Sequence, residues 1–198
     1  MGSKELRVRE TWQDYGGANA GVAEKSFFEV FSKLFEGTEF RIRKRPKEFN
    51  NIYNEVKLSK ETLMQIYDPD ETWMHGVFPD FAIDNTKTKK TIYVEVKRQD
   101  GWVEGKERKA GRGNAHERSN KFFTPGLQKL LREKGNLGKD VIPIWVVFIG
   151  DITRDPKRVR EVTFWYDKHS GHFFMWRNQK DETLLIKHFN YFIKPLLN

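Results

Sequence analysis

The chain contains no cysteine. This absence excludes disulfide bonds, thiolate nucleophiles and every zinc or iron–sulfur site that needs cysteine ligands. Any metal that the protein binds must therefore be held by oxygen or imidazole ligands.

A long apolar segment is also missing. The longest uninterrupted apolar run, Ile144–Ile149, has six residues, whereas a helix that spans a bilayer needs roughly 20. The first residues, MGSKELRVRETWQ, are charged and lack the apolar core of a signal peptide. We therefore expect a cytoplasmic protein that does not engage a membrane.

Acidic residues are outnumbered by basic ones. The 36 Lys and Arg exceed the 28 Asp and Glu, which gives a net charge of +8 and a pI near 9.5. Positive charge is concentrated in three windows, Arg41–Lys47, Lys106–Lys121 and Arg154–Arg160. One such window alone is most simply a solvated surface. Three in one chain favour a polyanionic partner, because cations that bind nucleic acid release its counterions.

Apolar material is sufficient for a substantial core. Hydrophobic residues make up 37% of the 198 residues and aromatic residues 14%, which argues against wholesale disorder. The length predicts a single domain over 1–198. Apolar periodicity and turn residues predict an α/β fold. The predicted helices are Gly21–Glu36, Lys60–Tyr67, Ser119–Lys134 with a break or late start at Pro125, and Thr183–Phe192; the predicted strands are Phe81–Ile83, Thr91–Arg98, Ile144–Ile149, Val162–Tyr166 and Phe173–Trp176. A glycine-rich loop is predicted over Gly101–Asn114.

Two acids and a lysine form the first chemical constellation. Glu95 and Lys97 are two residues apart on a predicted strand, so their side chains leave the same face about 7 Å apart. Asp80 lies on the other arm of the predicted hairpin and can reach Glu95. Paired carboxylates suit Mg²⁺, and Lys97 could position a water and stabilise charge on phosphorus. The competing interpretation is a turn followed by a solvated ion-paired strand, since Pro-Asp and Glu-x-Lys are common there.

A second constellation follows in the candidate recognition loop, residues 112–118. Its members are Arg112, Gly113, Asn114, Ala115, His116, Glu117 and Arg118. In the major groove, guanine offers two acceptors to a guanidinium, adenine matches an amide, and cytosine donates to a carboxylate. The segment could therefore contact bases. Alternatively, its charges could simply pair with one another.

These motifs, Pro79-Asp80, Glu95-Val96-Lys97 and the GNAHERS segment that begins at Gly113, resemble the type II restriction endonucleases of the PD-(D/E)xK superfamily. Within that superfamily the likeness is closest to the MunI/MfeI group, with EcoRI more distant. The resemblance implies a restriction-endonuclease-like mixed β-sheet core flanked by helices. It further implies a homodimer that uses Mg²⁺ to cleave double-stranded DNA at the palindrome C/AATTG, leaving 5′ AATT overhangs. A companion DNA methyltransferase is implied as well.

The resemblance also assigns roles by position. Asp80 and Glu95, with the main-chain carbonyl of Val96, correspond to metal ligands, and Lys97 to the catalytic lysine. Arg112 corresponds to the reader of the outer C·G pair, and the segment from Gly113 to Arg118 to the part that recognises the inner AATT.

Two other functions stay open from the residues alone. A structure-specific or repair nuclease would need Asp80, Glu95 and Lys97 but no base-reading loop. A non-catalytic DNA-binding protein would need only the positive charge and the candidate recognition loop.

Overall fold

The structure, a computed structural model, describes residues 21–66, 74–100 and 116–198. Within these residues a mixed sheet has the strand order β1-β2-β3-β4-β5. The first three strands pair antiparallel, and β3/β4 and β4/β5 pair parallel. The strands are β1 (Phe40–Lys44), β2 (Phe81–Asn85), β3 (Lys90–Arg98), β4 (Ile144–Ile149) and β5 (Phe173–Trp176).

Helices accompany the sheet along the chain. They are α1 (residues 21–35), α2 (Lys60–Leu63), α3 (Pro125–Gly135), α4 (Pro156–Tyr166), α5 (Thr183–His188) and α6 (Lys194–Leu197), with a π-helical turn at Phe189–Ile193 between the last two. Short 3-10 turns precede α3 at Glu117–Phe123 and α4 at Asp151–Arg154. None of the helices in the described residues is long and apolar enough to span a membrane.

The apolar core lies on both faces of the sheet. Trp145, Val147 and Ile149 of β4 belong to one buried cluster together with phenylalanines of α1. The alternate residues of β4 belong to a second cluster that includes Leu131 of α3 and Tyr166 of α4. A strand with both faces covered reads as a continuous apolar run, which is why Ile144–Ile149 is uninterrupted. The predicted class, a mixed sheet flanked by helices, is confirmed.

The predicted strand at Val162–Tyr166 is wrong, because these residues form the last turns of α4. The side chain of Asp155 accepts hydrogen bonds from the backbone N–H groups of Lys157 and Arg158 at 3.0 and 3.4 Å. Pro156 occupies the first helical turn, where its missing N–H costs nothing. Together they start a helix that the β-branched and aromatic residues then continue.

The capping role predicted for Ser119 is wrong. The Ser119 hydroxyl donates to the carbonyl of His116 at 2.7 Å inside the 3-10 turn, so it does not cap α3. The helix begins at Pro125, which confirms the late start predicted there. In addition, β1 was not predicted, because charged residues interrupt its apolar pattern.

Candidate active site

The β2–β3 hairpin brings Asp80 beside Glu95. Phe81 pairs with Val94 in the antiparallel register, so Asp80 at the start of β2 faces the next residue of β3. The Asp80 carboxylate accepts a hydrogen bond from the backbone N–H of Val96 at 2.7 Å, and the Asp80 N–H lies 3.4 Å from Glu95 Oε2. The predicted convergence of the two acids is therefore confirmed.

Lys97 completes the group on the same face of β3. Its Nζ contacts Glu95 Oε1 and lies 3.8 Å from Asp80 Oδ2. The side chains are 17% exposed for Asp80, 4% for Glu95 and 18% for Lys97. The three charges are thus largely shielded from water, so their interaction is strong.

Burial and mutual repulsion dominate the electrostatics of this group. Burial raises the pKa of Asp80, and burial together with the charge of Asp80 raises the pKa of Glu95 to about 7. Burial alone would lower the pKa of Lys97, but Glu95 and Asp80 more than offset it and the pKa is raised. The two acids therefore favour the ammonium form of Lys97, which donates hydrogen bonds.

The donor set fits a hard divalent cation. Among the residues that the structure describes, the two shielded carboxylates have one ammonium in contact, and their pKa values are raised, so a further positive charge would stabilise their ionised forms. Over residues 21–66, 74–100 and 116–198, no group of three or more His, Asp or Glu could hold a metal by itself. An ion here would complete its shell with main-chain oxygen, water and substrate oxygens, a mode of binding typical of Mg²⁺.

The carbonyl of Val96 faces the same edge as the carboxylates. In an antiparallel ladder the N–H and C=O of one residue point to the same neighbouring strand. The N–H of Val96 is bonded to the carboxylate of Asp80, which lies directly before the start of β2. Its carbonyl is consequently directed to the edge at which Asp80 lies, as the predicted ligand role requires.

A cavity of about 260 Å³ opens beside Asp80, and sequence reasoning missed the residues that line it. They are Gly21, Glu24, Lys25, Lys44, Arg45 and Phe81, together with Asp80 itself. Glu24 lies on α1, whose apolar stripe indicated only a core helix. Arg45 follows β1, which no apolar pattern revealed. Arg45 could have been identified only by a search for charged residues at the ends of strands that lack a regular apolar pattern.

The candidate recognition loop is described only at its end. Arg112, Gly113, Asn114 and Ala115 lie outside the described residues, so their predicted contacts with bases stay predictions. Glu117 and Arg118 are exposed at the start of the 3-10 turn.

His116 differs from its exposed neighbours because it is fully buried. Its ring Nδ1 lies 2.9 Å from the side-chain oxygen of Gln99, and the ring stacks on Trp165 with centroids 5.6 Å apart. Gln99 directly follows β3. This position suits a residue that anchors the loop to the sheet better than one that contacts a base edge.

Comparisons with known proteins identify the family of the chain and agree with its fold. The family model of the type II restriction enzyme MunI matches residues 1–198. The type II restriction enzyme MunI of a Mycoplasma species is 49% identical over 202 residues, which cover all of both chains. The crystal structure of MunI restriction endonuclease in complex with cognate DNA superposes with a TM-score of 0.81 at 49% identity, covering 94% of this chain and 97% of that one.

Proposed function

Since the chain belongs to the MunI family of type II restriction enzymes, we propose that it cleaves both strands of double-stranded DNA at the palindrome CAATTG. The cut falls after the first C and leaves 5′ AATT overhangs. The observation that carries the proposal is the convergence of Asp80, Glu95 and Lys97 at one edge of the sheet. The solved relative that is bound to its cognate DNA supports DNA as the substrate.

Type II restriction enzymes generally use a divalent metal, and we propose Mg²⁺ for this one. Asp80, Glu95 and the main-chain carbonyl of Val96 would hold it. When bound, the ion supplies positive charge that activates the attacking water and stabilises the phosphate. The raised pKa values of both acids support this assignment, because the cation would favour the ionised carboxylates.

Lys97 acts on the phosphate as a protonated donor. Its raised pKa keeps the ammonium charged, so it holds the attacking water or the non-bridging oxygens in place and stabilises the charge that develops on them. The water oxygen bonds to phosphorus and its proton passes to solvent, while one phosphorus–oxygen ester bond breaks and the leaving oxygen takes up a proton from solvent. Lys97 supplies one positive charge next to the negative charge that develops on the phosphate.

Recognition is assigned to the candidate recognition loop. Arg112 reads the outer C·G pair and Asn114, Ala115, Glu117 and Arg118 contact the inner AATT, with Gly113 permitting close approach. His116 holds the end of the loop against Gln99. The enzyme acts as a homodimer, because a two-fold assembly presents the same loop to each half of a palindrome.

The wider setting follows from the same family. We assign residues 1–198 to one domain that carries both recognition and catalysis, in a cytoplasmic enzyme. A companion methyltransferase protects the host DNA.

Digestion of a plasmid with one CAATTG site tests the proposal. With Mg²⁺ we expect a single linear product whose sequenced ends begin AATTG, and with EDTA we expect no cut. A plasmid in which the site is changed to GAATTC is the matched control and should stay intact. Smears, nicked circles or a preference for a four-way junction would indicate a different nuclease, and intact plasmid would indicate a DNA-binding protein without catalysis.

A further inference from the structure

The basic window Arg41–Lys47 is not one uniform surface. Arg41 and Arg43 point to the same side of β1, and the Nε atom of each lies 2.7 Å from Asp84 Oδ2. Arg43 also contacts Glu48 at 2.9 Å. These two charges are therefore compensated inside the protein, and they are poor candidates for contacts with DNA.

Arg45, by contrast, is joined to the active site through its backbone. Its N–H donates to the carbonyl of Asp80 at 2.9 Å. Its φ of 43° lies in the left-handed region, which is unfavourable for a residue with a Cβ atom. Strain of this kind persists where surrounding contacts enforce it. Here the bond to Asp80 and the buried Pro46 that follows set the position of the Arg45 side chain relative to the catalytic acids.

The cavity beside Asp80 contains three cationic side chains, two of which have other contacts. The ammonium of Lys25 lies 3.8 Å from the Glu29 carboxylate, and that of Lys44 lies 4.0 Å from the centre of the Phe28 ring. Among the residues that the structure describes, no carboxylate lies within ion-pair distance of the Arg45 guanidinium. Arg45 is exposed, and within the described part of the chain it is the cation of this cavity that is left for a ligand.

The positive charge of Arg45 affects both acids that line the cavity, Glu24 and Asp80. Burial and the charge of Asp80 raise the pKa of Glu24, whereas Arg45, Lys97 and Lys44 oppose that rise. Arg45 also opposes the rise in the pKa of Asp80, so it lies close to Glu24 and Asp80, and among the described residues it forms an ion pair with neither. A guanidinium in this position matches the two non-bridging oxygens of a phosphate.

We propose that Arg45 binds the DNA phosphate next to the one that is cleaved, and so positions the scissile linkage over Asp80, Glu95 and Lys97. The proposal rests on DNA being the substrate, as argued above. Arg45 is a positioning residue in this scheme, since it contacts a neighbouring phosphate and not the reacting atoms. It should contribute equally to cognate and non-cognate DNA, because phosphate contacts carry no sequence information.

Arg45→Gly is the most informative variant. Glycine adopts positive φ without strain, so the substitution removes the side chain and preserves the backbone bond to Asp80. Lys89→Gly is the matched control: Lys89 also has a positive φ, of 60°, is exposed, and lies in the turn at the opposite end of the β2–β3 hairpin. Both variants lose one positive charge and one strained side chain.

The measurement is the affinity for cognate and scrambled duplexes in EDTA over a range of salt concentrations. Each lost phosphate contact lowers the slope of log affinity against log salt by about 0.9. We expect that decrease for Arg45→Gly on both duplexes, a slope close to wild type for Arg45→Lys, and no change for Lys89→Gly. An unchanged slope for Arg45→Gly, or an equal decrease for Lys89→Gly, would overturn the proposal.

A scan with neutral methylphosphonate linkages locates the contact. Wild type should lose affinity when the phosphate adjacent to the cut is neutralised, and Arg45→Gly should show no additional loss at that position. Additive losses would refute the assignment of the phosphate. The test of the proposed function and the test of Arg45 have separate outcomes. If wild type does not cut CAATTG, the proposed function is wrong. The salt dependence of binding still decides whether Arg45 binds a phosphate.

Discussion

Replacing Asp84 by asparagine should destabilise the fold by about 3 kcal/mol. Asp84 is only 5% exposed and accepts hydrogen bonds from Arg41, Arg43 and Thr91, each at 2.7 Å. Asparagine would present N–H groups to the guanidinium groups and would leave their charges uncompensated. Removing one partner of a buried ion pair costs about 3–5 kcal/mol.

The lower end of that range applies because the cations are partly hydrated. The side chain of Arg41 is 63% exposed and that of Arg43 is 32% exposed, so water stabilises both after the loss of Asp84. For a chain of this size, about 3 kcal/mol corresponds to a decrease of roughly 6–12 °C in Tm.

At acidic pH, the difference in the free energy of unfolding between wild type and Asp84→Asn should become smaller. Burial raises the pKa of Asp84, but hydrogen bonds from Arg43, Thr91 and Arg41 lower it more, so the net pKa is below the ordinary 3.8. Its stabilising contribution is therefore complete above that ordinary value and is lost as the pH falls through the lower pKa of the folded state.

Urea unfolding at pH 7 and at pH 3 measures both effects. Asp140→Asn is the control, because it makes the same charge change at an exposed site and should alter the free energy of unfolding by less than about 0.5 kcal/mol. A cost below 1 kcal/mol for Asp84→Asn, or one equal to that of the control, would refute the reasoning.

Three further predictions concern catalysis, specificity and acid stability. Lys97→Met should lower the single-turnover cleavage rate on the order of 10²–10³-fold, as for the loss of one transition-state donor, while cognate binding survives; a rate within a factor of three of wild type would contradict this. Arg112→Ala should weaken discrimination at the outer base pair by about 1–3 kcal/mol, as measured with duplexes that vary only that pair, and a uniform loss over all sequences would instead indicate a phosphate contact. Burial lowers the pKa of His172 to about 4, so the His172 ring takes up a proton in the unfolded state at a higher pH than in the folded state. The free energy of unfolding should therefore fall by about 3 kcal/mol between pH 6.5 and 4. An NMR titration of folded protein that gives His172 a pKa near 6.5 would contradict this prediction.

The sequence predicts an element correctly where its apolar pattern is consistent with one kind of secondary structure and burial. Ile144–Ile149 is buried on both faces and is found as predicted. The segment Val162–Tyr166 misleads because β-branched and aromatic residues are typical of strands, whereas the capping side chain of Asp155 and Pro156 at the first turn decide for a helix. The residues that start the helix, Asp155 and Pro156, therefore have more effect on this segment than the strand propensity of its β-branched and aromatic side chains.

β1 could not be predicted because its charges are compensated by residues distant in sequence. Arg41 and Arg43 alternate with apolar residues, but their partner Asp84 lies on β2, more than 40 positions away. Without that partner the window is indistinguishable from a solvated basic surface.

The convergence of Asp80, Glu95 and Lys97 was predictable from the sequence, and the surroundings of these residues were not. Short sequence separations and a hairpin turn bring Asp80, Glu95 and Lys97 together. Glu24 and Arg45 reach the same cavity from α1 and from the end of β1, so their proximity depends on how distant elements pack. The burial of His116 likewise depends on Trp165 and Gln99, which no local pattern connects to it.

We propose that Asp80, Glu95 and Lys97 form a metal-dependent centre for phosphodiester hydrolysis. A comparison of Asp80→Ala with wild type in two assays on a CAATTG duplex, cleavage with Mg²⁺ and binding without turnover, tests this role. We expect that cleavage is lost while the preference for CAATTG is kept, because the acid acts on the scissile linkage and not on the bases. Cleavage by Asp80→Ala at a rate close to that of wild type would contradict it.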